Sequence, residues 1–135
     1  TEIYTLSLHD ALPILKINSP HRDHLHWTGL SKDGKSLIIT STRPDLGSRG
    51  GHDEWISQQN ADGEWQQPVN LGDAVNTGGE DMCWTFTPDG KQFTGSWGPH
   101  GTYDMDIRSI NKSDVPLLKD FEPMGLPPNL LRSSR

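Results

Sequence analysis

Short apolar and β-branched runs alternate with turns rich in Gly, Asp and Asn along most of the chain. Residues 36 to 41 and 92 to 97 carry the clearest such runs, and an Asp-Gly pair stands shortly before each of them. Glycine after aspartate permits the positive φ of a tight turn, so each pair predicts a β-hairpin. No segment has apolar residues at a sustained period of 3.6, so we expect almost no helix.

The pattern predicts four short strands in each half of the chain, with a Gly-rich loop between the second and third strand of each set. The predicted strands are residues 24 to 30, 36 to 41, 54 to 59 and 64 to 67 in the first half, and 82 to 86, 92 to 97, 105 to 110 and 115 to 118 in the second.

The two halves are copies of one unit. Ser31-Lys32-Asp33-Gly34-Lys35 returns 56 residues later as Thr87-Pro88-Asp89-Gly90-Lys91, and Asp53 returns 51 residues later as Asp104. A repeat of about 50 residues that is rich in turns and β-formers favours propeller blades over helical solenoids. The sequence therefore predicts an all-β fold with two consecutive four-stranded blades of an incomplete β-propeller.

The chain of 135 residues is too short for the four to eight blades of a closed ring, at roughly 40 to 50 residues each. We assign residues 15–74 to the first blade with its connection and residues 75–121 to the second. Residues 122–135 contain three prolines and no third Asp-Gly-Lys turn, which predicts a frayed or truncated tail.

Residues 1–14 need a separate interpretation. The run Ser7-Leu8-His9-Asp10-Ala11-Leu12-Pro13-Ile14 looks like a translated sequencing adapter fused to a metagenomic gene fragment. A genuine strand is the alternative, because residues 3 to 6 are compatible with β-structure. On either interpretation we expect the native start to be missing, so the lack of a signal peptide says nothing about export.

The charge composition argues against several classes of partner. The net charge is −6, and basic and acidic residues are interspersed, whereas a nucleic-acid or anionic-membrane surface needs clustered Lys and Arg. We therefore expect no nucleic acid and no membrane insertion. Cys83 is the one cysteine, which excludes an intramolecular disulfide, and we expect it to be a small buried apolar residue.

Several motifs occur in order and together resemble the WD40-like β-propeller repeats of the TolB type. They are Lys32-Asp33-Gly34-Lys35, Gly50-Gly51-His52-Asp53-Glu54-Trp55, Gln67-Pro68-Val69-Asn70-Leu71-Gly72 and Pro88-Asp89-Gly90-Lys91. The resemblance covers about residues 15 to 121. It implies propellers of six or more blades, usually exported, and hence a periplasmic or extracellular location. Lys32 stands where the family usually has proline, which weakens that turn.

One cluster has residue types that bind metals. His21, Asp23, His24 and His26 lie close together, and alternate residues of a strand share a face. The second half does not repeat the set, since the internal alignment places Glu80 and Met82 at the positions of His24 and His26. We therefore predict no metal and no cofactor, and keep His21, His24 and His26 only as weak metal candidates.

The other recurrent polar residues predict structure rather than catalysis. Asp33, Gly34, Lys35, Asp89, Gly90 and Lys91 form the turns, while Asp53 and Asp104 precede the third strands, where a carboxylate can accept backbone N–H groups. Gly95-Ser96-Trp97-Gly98 is not a nucleophile elbow, because the serine follows its glycine directly. We predict no enzymatic activity.

The five tryptophans are dense for this length, and packing between blades is their commoner use, although aromatic rings also bind sugars and peptides. The resulting hypothesis is a non-catalytic scaffold that binds a protein or a cell-wall glycan in the bacterial envelope, together with the remaining blades of the parent chain. The alternative is the propeller portion of an enzyme, either a prolyl-oligopeptidase-like serine peptidase or a metal-dependent propeller lyase.

Overall fold

A computed structural model describes residues 16–87, 89–98 and 105–125, without the side chains of residues 26–28. The adapter-like segment, Pro88, Asp104 and residues 126–135 lie outside this part of the chain, so the predictions made for them stay predictions.

The described residues form two antiparallel sheets, and the predicted all-β fold is confirmed. The first sheet has the order β1-β2-β3-β4 and the second has the order β5-β6-β7. The described part of the chain contains no α-helix, as the sequence predicts. The strands are β1 (Asp23–Leu30), β2 (Ser36–Ser41), β3 (Asp53–Gln58), β4 (Val69–Asn70), β5 (Glu80–Phe86), β6 (Gln92–Trp97) and β7 (Met105–Ile110).

The fourth strand of each set differs from its prediction. In the first sheet, the strand paired with β3 is β4 rather than residues 64 to 67, where one isolated bridge joins Gln59 and Trp65. In the second half, the predicted strand at 115 to 118 is wrong: Pro116–Leu118 is a 3-10 turn, and the side chains of Val115 and Leu118 are buried. Pro116 lacks the N–H that a ladder needs, which favours a turn over a strand.

Both hairpins contain a bulge in their first strand, and the bulges differ in length by two residues. This difference explains why the repeat offset falls from 58 residues at the start of the strand to 56 at its end. The pairs that bracket the bulges are Leu25 with Ile39 and Leu30 with Leu37 in the first sheet, and Met82 with Gly95 and Thr85 with Phe93 in the second.

Cys83 lies in the bulge of β5 with a positive φ of 68°, and its side chain is exposed. The prediction that Cys83 is buried is therefore wrong. The bulge interrupts the regular alternation of side chains along β5, so the exposure of Cys83 is decided by the backbone rather than by its residue type.

The main core lies between the two sheets and extends to the segment that follows β7. Strand β5 packs across β1, β2 and β3, and the core joins residues of both sheets to the segment after β7. Its members are Ile38, Ile56, Leu71, Val75, Trp84, Ile110, Val115, Leu118 and Phe121. A smaller cluster of Ile17, Ile39 and Trp55 covers the opposite side of the first sheet.

The first residues of the predicted tail are attached to the first sheet. Pro123 forms a bridge with Ser31, Lys32 N–H donates to the carbonyl of Glu122 at 2.7 Å, and Met124 N–H donates to the carbonyl of Leu30 at 3.0 Å. Residues 122 to 124 therefore run along the edge of β1, while most of the predicted frayed or truncated tail lies outside the described residues. No helix in the described residues is long and apolar enough to span a membrane.

Candidate functional site

An aspartate, half-buried Asp23 in the first sheet and buried Asp81 in the second, ties the first strand of each sheet to the second strand. Ser41 Oγ donates to Asp23 Oδ1, and Ser96 Oγ donates to Asp81 Oδ1, both at 2.6 Å. A hydroxyl residue four positions before each aspartate also donates through its backbone N–H, at 2.8 Å from Ser19 and at 2.7 Å from Thr77. The same arrangement therefore occurs in both repeats.

An arginine completes each arrangement, but it comes from a different place in the fold. Arg43 follows β2 and lies 3.0 Å from Asp23 Oδ1, while Arg108 belongs to β7 and lies 3.7 Å from Asp81 Oδ1. Burial alone would raise the pKa of Asp23, but the hydrogen bonds from Ser41, Ser19 and Arg43 hold it below its usual value. In the second repeat, Arg108 donates to the Ser96 hydroxyl at 3.1 Å rather than to Asp81. In both repeats these charged groups fix the strands.

The sequence analysis missed this arrangement, although a signal was present. An offset of 58 residues carries Ser19 onto Thr77 and Asp23 onto Asp81. The shared spacing of a hydroxyl residue and an aspartate was visible, but the serines and arginines that complete the contacts are distant in sequence and are brought together only by strand pairing.

We call the face of each sheet that carries the Asp–Ser contact its front, and the other face its back. The fronts of the two sheets point in the same direction. In the second sheet, Thr94 shares a face with Ser96 and reaches Glu54 of the first sheet. In the first sheet, Glu54 shares a face with its cross-strand neighbour Thr40, so Ser41 points to the opposite side. The front of the second sheet therefore packs on the back of the first.

Glu54 is a fully buried carboxyl group between the sheets. Thr40 Oγ1 donates to Glu54 Oε2 at 2.8 Å, and Thr94 Oγ1 lies 3.3 Å from Glu54 Oε1. Burial raises the pKa of Glu54 to about 8, and the nearby Asp81 contributes in the same direction. A buried group without access to solvent cannot reach a substrate, so its raised pKa reflects the interface rather than catalysis.

Asn76 attaches the connection between the repeats to the backbone of Glu54. Its Oδ1 accepts from Glu54 N–H at 2.7 Å, and its Nδ2 donates to the Glu54 carbonyl at 2.9 Å. Leu71 N–H donates to the same carbonyl at 3.1 Å. The side chain of Asn76 thus takes the place of a strand partner at this position.

Asp53 has the structural role that the sequence predicts for it. Its Oδ2 accepts from Arg49 N–H at 2.5 Å and from Asn70 Nδ2 at 2.8 Å, while its buried Oδ1 has no hydrogen-bond partner. Burial raises the pKa of Asp53. The ladder register pairs Asp53 with Ser41 and Asp106 with Ser96, so Asp106 has the equivalent register position in the second sheet.

Both Asp-Gly pairs form the turns that the sequence predicts. Gly34 N–H donates to the Ser31 carbonyl at 2.9 Å, and the equivalent bond in the second turn is 2.8 Å long. Gly34 and Gly90 have φ values of 71° and 86°, which favour glycine. Hydrogen bonds from the Ser31 hydroxyl and the Lys35 N–H lower the pKa of Asp33.

Two of the weak metal candidates, His21 and His24, have different partners in the structure. His21 Nε2 lies 2.9 Å from Asp45 Oδ1, while the ring of His24 lies 5.2 Å from that of His52, centre to centre. The side chain of His26 is not among the described ones. Within the described residues, no group of three or more His, Cys, Asp or Glu side chains could hold a metal ion.

His52 forms a buried contact that sequence reasoning missed. Its Nδ1 lies 2.5 Å from Glu80 Oε2, which also accepts from the His52 backbone N–H at 2.7 Å. Burial alone would raise the pKa of Glu80, but these bonds to His52 hold it below its usual value. The two residues are 28 positions apart in sequence, so only the packing of β5 against β3 brings them together.

Side chains are described for four of the five tryptophans, and two of these four are buried. Trp84 is buried in the core between the sheets, whereas Trp55 is buried in the cluster on the far side of the first sheet, against which Trp65 packs. Trp97 at the end of β6 is half-buried. Among the described tryptophans, Trp84 therefore has a position between two sheets, and packing between blades stays a prediction.

Comparisons with known proteins give no match for this chain: no family model, no curated protein and no solved structure matches it. Assignment of function therefore depends on the repeated contacts and the exposed surfaces.

Proposed function

We propose that the chain forms two consecutive blades of a larger β-propeller of the TolB type, and that this propeller is a non-catalytic binding scaffold. The observation that carries the proposal is the packing of the front of the second sheet on the back of the first. Repeated front-to-back contacts are heterologous, and they close into rings when the rotation allows. A sandwich built on a two-fold axis would instead join equivalent faces.

The exposed back of the second sheet supports the same proposal. Ile107 is 75% exposed and Met105 is 40% exposed, and they lie at the positions of the buried Glu54 and His52 in the first sheet. The back of the first sheet is covered by the second sheet, whereas the back of the second sheet is exposed and apolar. A further blade would cover it in the same way.

The burial of Trp55 and Trp84 favours a protein partner over a glycan for the scaffold. Sugar binding by aromatic residues needs exposed rings, and these two are used for packing. The envelope location rests on the resemblance in sequence alone.

A tandem extension tests the blade arrangement. A second copy of residues 75–121 is appended after residue 125, and the control carries a Gly/Ser linker of equal length. If the blades stack front to back, the added repeat covers Ile107, raises the melting temperature and reduces binding of a hydrophobic dye. An extension that behaves like the linker control would overturn the propeller proposal.

Binding and turnover assays test the scaffold role. Co-sedimentation with purified peptidoglycan measures glycan binding, while peptide and polysaccharide substrates with product detection measure hydrolase and lyase activity. The proposal expects no turnover and no sedimentation above a heat-denatured control. Saturable sedimentation would assign a glycan as the partner, and turnover that depends on a described residue would replace the scaffold by the enzyme alternative.

A further inference from the structure

Two imidazole rings, those of His24 and His52, lie next to each other near the contact between the two sheets. The inference drawn from them is independent of the blade proposal. His24 comes from β1 and His52 directly precedes β3, and their ring centres are 5.2 Å apart with the planes inclined by 55°. Two imidazoles on one tetrahedral zinc ion, each with a Zn–N distance of about 2.0–2.1 Å, have ring centres roughly 5 Å apart. The observed spacing matches that value.

The orientation of His52 is fixed by a carboxylate. Glu80 can only accept, so Nδ1 of His52 carries the proton in the 2.5 Å contact, and a neutral ring has its lone pair on Nε2. Histidines that bind metals commonly donate their other ring N–H to a carboxylate in this way.

The nitrogen left for a ligand has no partner in the protein. Nε2 of His52 is buried and makes no hydrogen bond, although a buried polar atom without a partner is costly. His24 is exposed, so the pair can be reached from solvent on that side. A cation would satisfy Nε2 and take its remaining ligands from water.

We propose that His24 and His52 bind a divalent cation of the kind that prefers imidazole, such as Zn²⁺, and that Glu80 orients His52 for it. Imidazole ligands suit Zn²⁺, Cu²⁺ and Ni²⁺ better than Mg²⁺ or Ca²⁺. The candidates His21, His24 and His26 lie close together in the sequence, whereas this pair joins β1 to the residue before β3.

Calorimetric titration with Zn²⁺ tests the proposal. The exposed thiol of Cys83 also binds zinc, so the parent and all variants carry Cys83→Ser and a tag without histidines. We expect one saturable site per chain, weakened more than about tenfold by His24→Ala or His52→Ala and about tenfold or more by Glu80→Gln. His21→Ala is the matched control, since His21 contacts Asp45 instead, and it leaves the affinity unchanged.

Thermal melting provides a second readout. Because His24 is exposed, His24→Ala keeps the fold, and Zn²⁺ should raise the melting temperature of the parent but not of this variant. The proposal is overturned if the parent binds Zn²⁺ no better than His24→Ala, or if His21→Ala reduces binding as much as His24→Ala does.

Discussion

The hydroxyl of Thr94 lies between Glu54 Oε1, at 3.3 Å, and the carbonyl oxygen of Met82, at 3.1 Å. A hydroxyl has one proton, so Thr94 Oγ1 shares it between these two acceptors, one on each sheet. Thr94 thus joins the two sheets at Glu54, and burial raises the pKa of Glu54 to about 8.

This arrangement predicts a stability that falls as pH rises. The pKa of Glu54 is about 8 in the folded chain against 4.5 for the ordinary side chain. Between these values the folded state holds a proton that the unfolded state has lost, so the free energy of unfolding decreases by up to about 1.4 kcal/mol per pH unit. Urea melts from pH 5 to pH 9 measure this slope.

Glu54→Gln removes the ionisation while keeping a neutral side chain of similar shape, so the slope between pH 5 and pH 8 should become flatter. Glu64→Gln, at an exposed position, is the control and keeps the slope of the parent. Equal slopes in the parent and Glu54→Gln would show that Glu54 is not the titrating group.

The repeated aspartate contacts predict equal effects of two distant substitutions. Ser41→Ala and Ser96→Ala each remove one hydrogen bond of 2.6 Å to an aspartate, which is half-buried Asp23 in the first repeat and buried Asp81 in the second. Each should lower the free energy of unfolding by about 1–3 kcal/mol, because the aspartate loses a partner. Chemical denaturation of both variants, beside the exposed control Ser109→Ala, measures the difference. A neutral effect in either repeat would contradict the proposed equivalence.

The Asp-Gly turns predict a stability effect without a direct effect on binding. Asp33→Ala and Asp89→Ala remove the acceptors for the Ser31 and Thr87 hydroxyls and should lower the melting temperature. Asn at either position keeps an acceptor oxygen and should restore most of the loss. Asp62→Ala, an exposed aspartate in another turn, is the control. A variant that kept its melting temperature but lost a ligand would contradict the structural role.

The apolar back of the second sheet predicts self-association of the isolated chain. Ile107 is 75% exposed within this face, and such surfaces favour association. Sedimentation velocity over a range of concentrations should show oligomers that Ile107→Lys reduces. Leu117→Lys is the control, because Leu117 is 37% exposed and lies outside this sheet. A parent chain that stays monomeric, with a sharp melt independent of concentration, would favour a self-contained sandwich.

Most strands could be predicted because their signals are local. The Asp-Gly turns set the hairpins, and β-branched residues such as Ile38 and Thr94 follow them at short range. The predictions failed where a feature of the backbone outweighed the local side-chain pattern. Pro116 cannot donate to a ladder, which leaves a turn where a strand was predicted, and the bulge at Cys83 exposes a side chain that composition suggested was buried.

By itself, the sequence determined the repeat, the all-β class and the two hairpin turns, because each depends on residues close together in the chain. Only the tertiary structure decided the contacts among Glu54, Thr94 and Asn76, and the pairing of His52 with Glu80. These partners lie 22 to 40 positions apart, and no local pattern specifies them. The front-to-back packing of two sheets determines which polar groups lose water together, and therefore which of them must bond to each other.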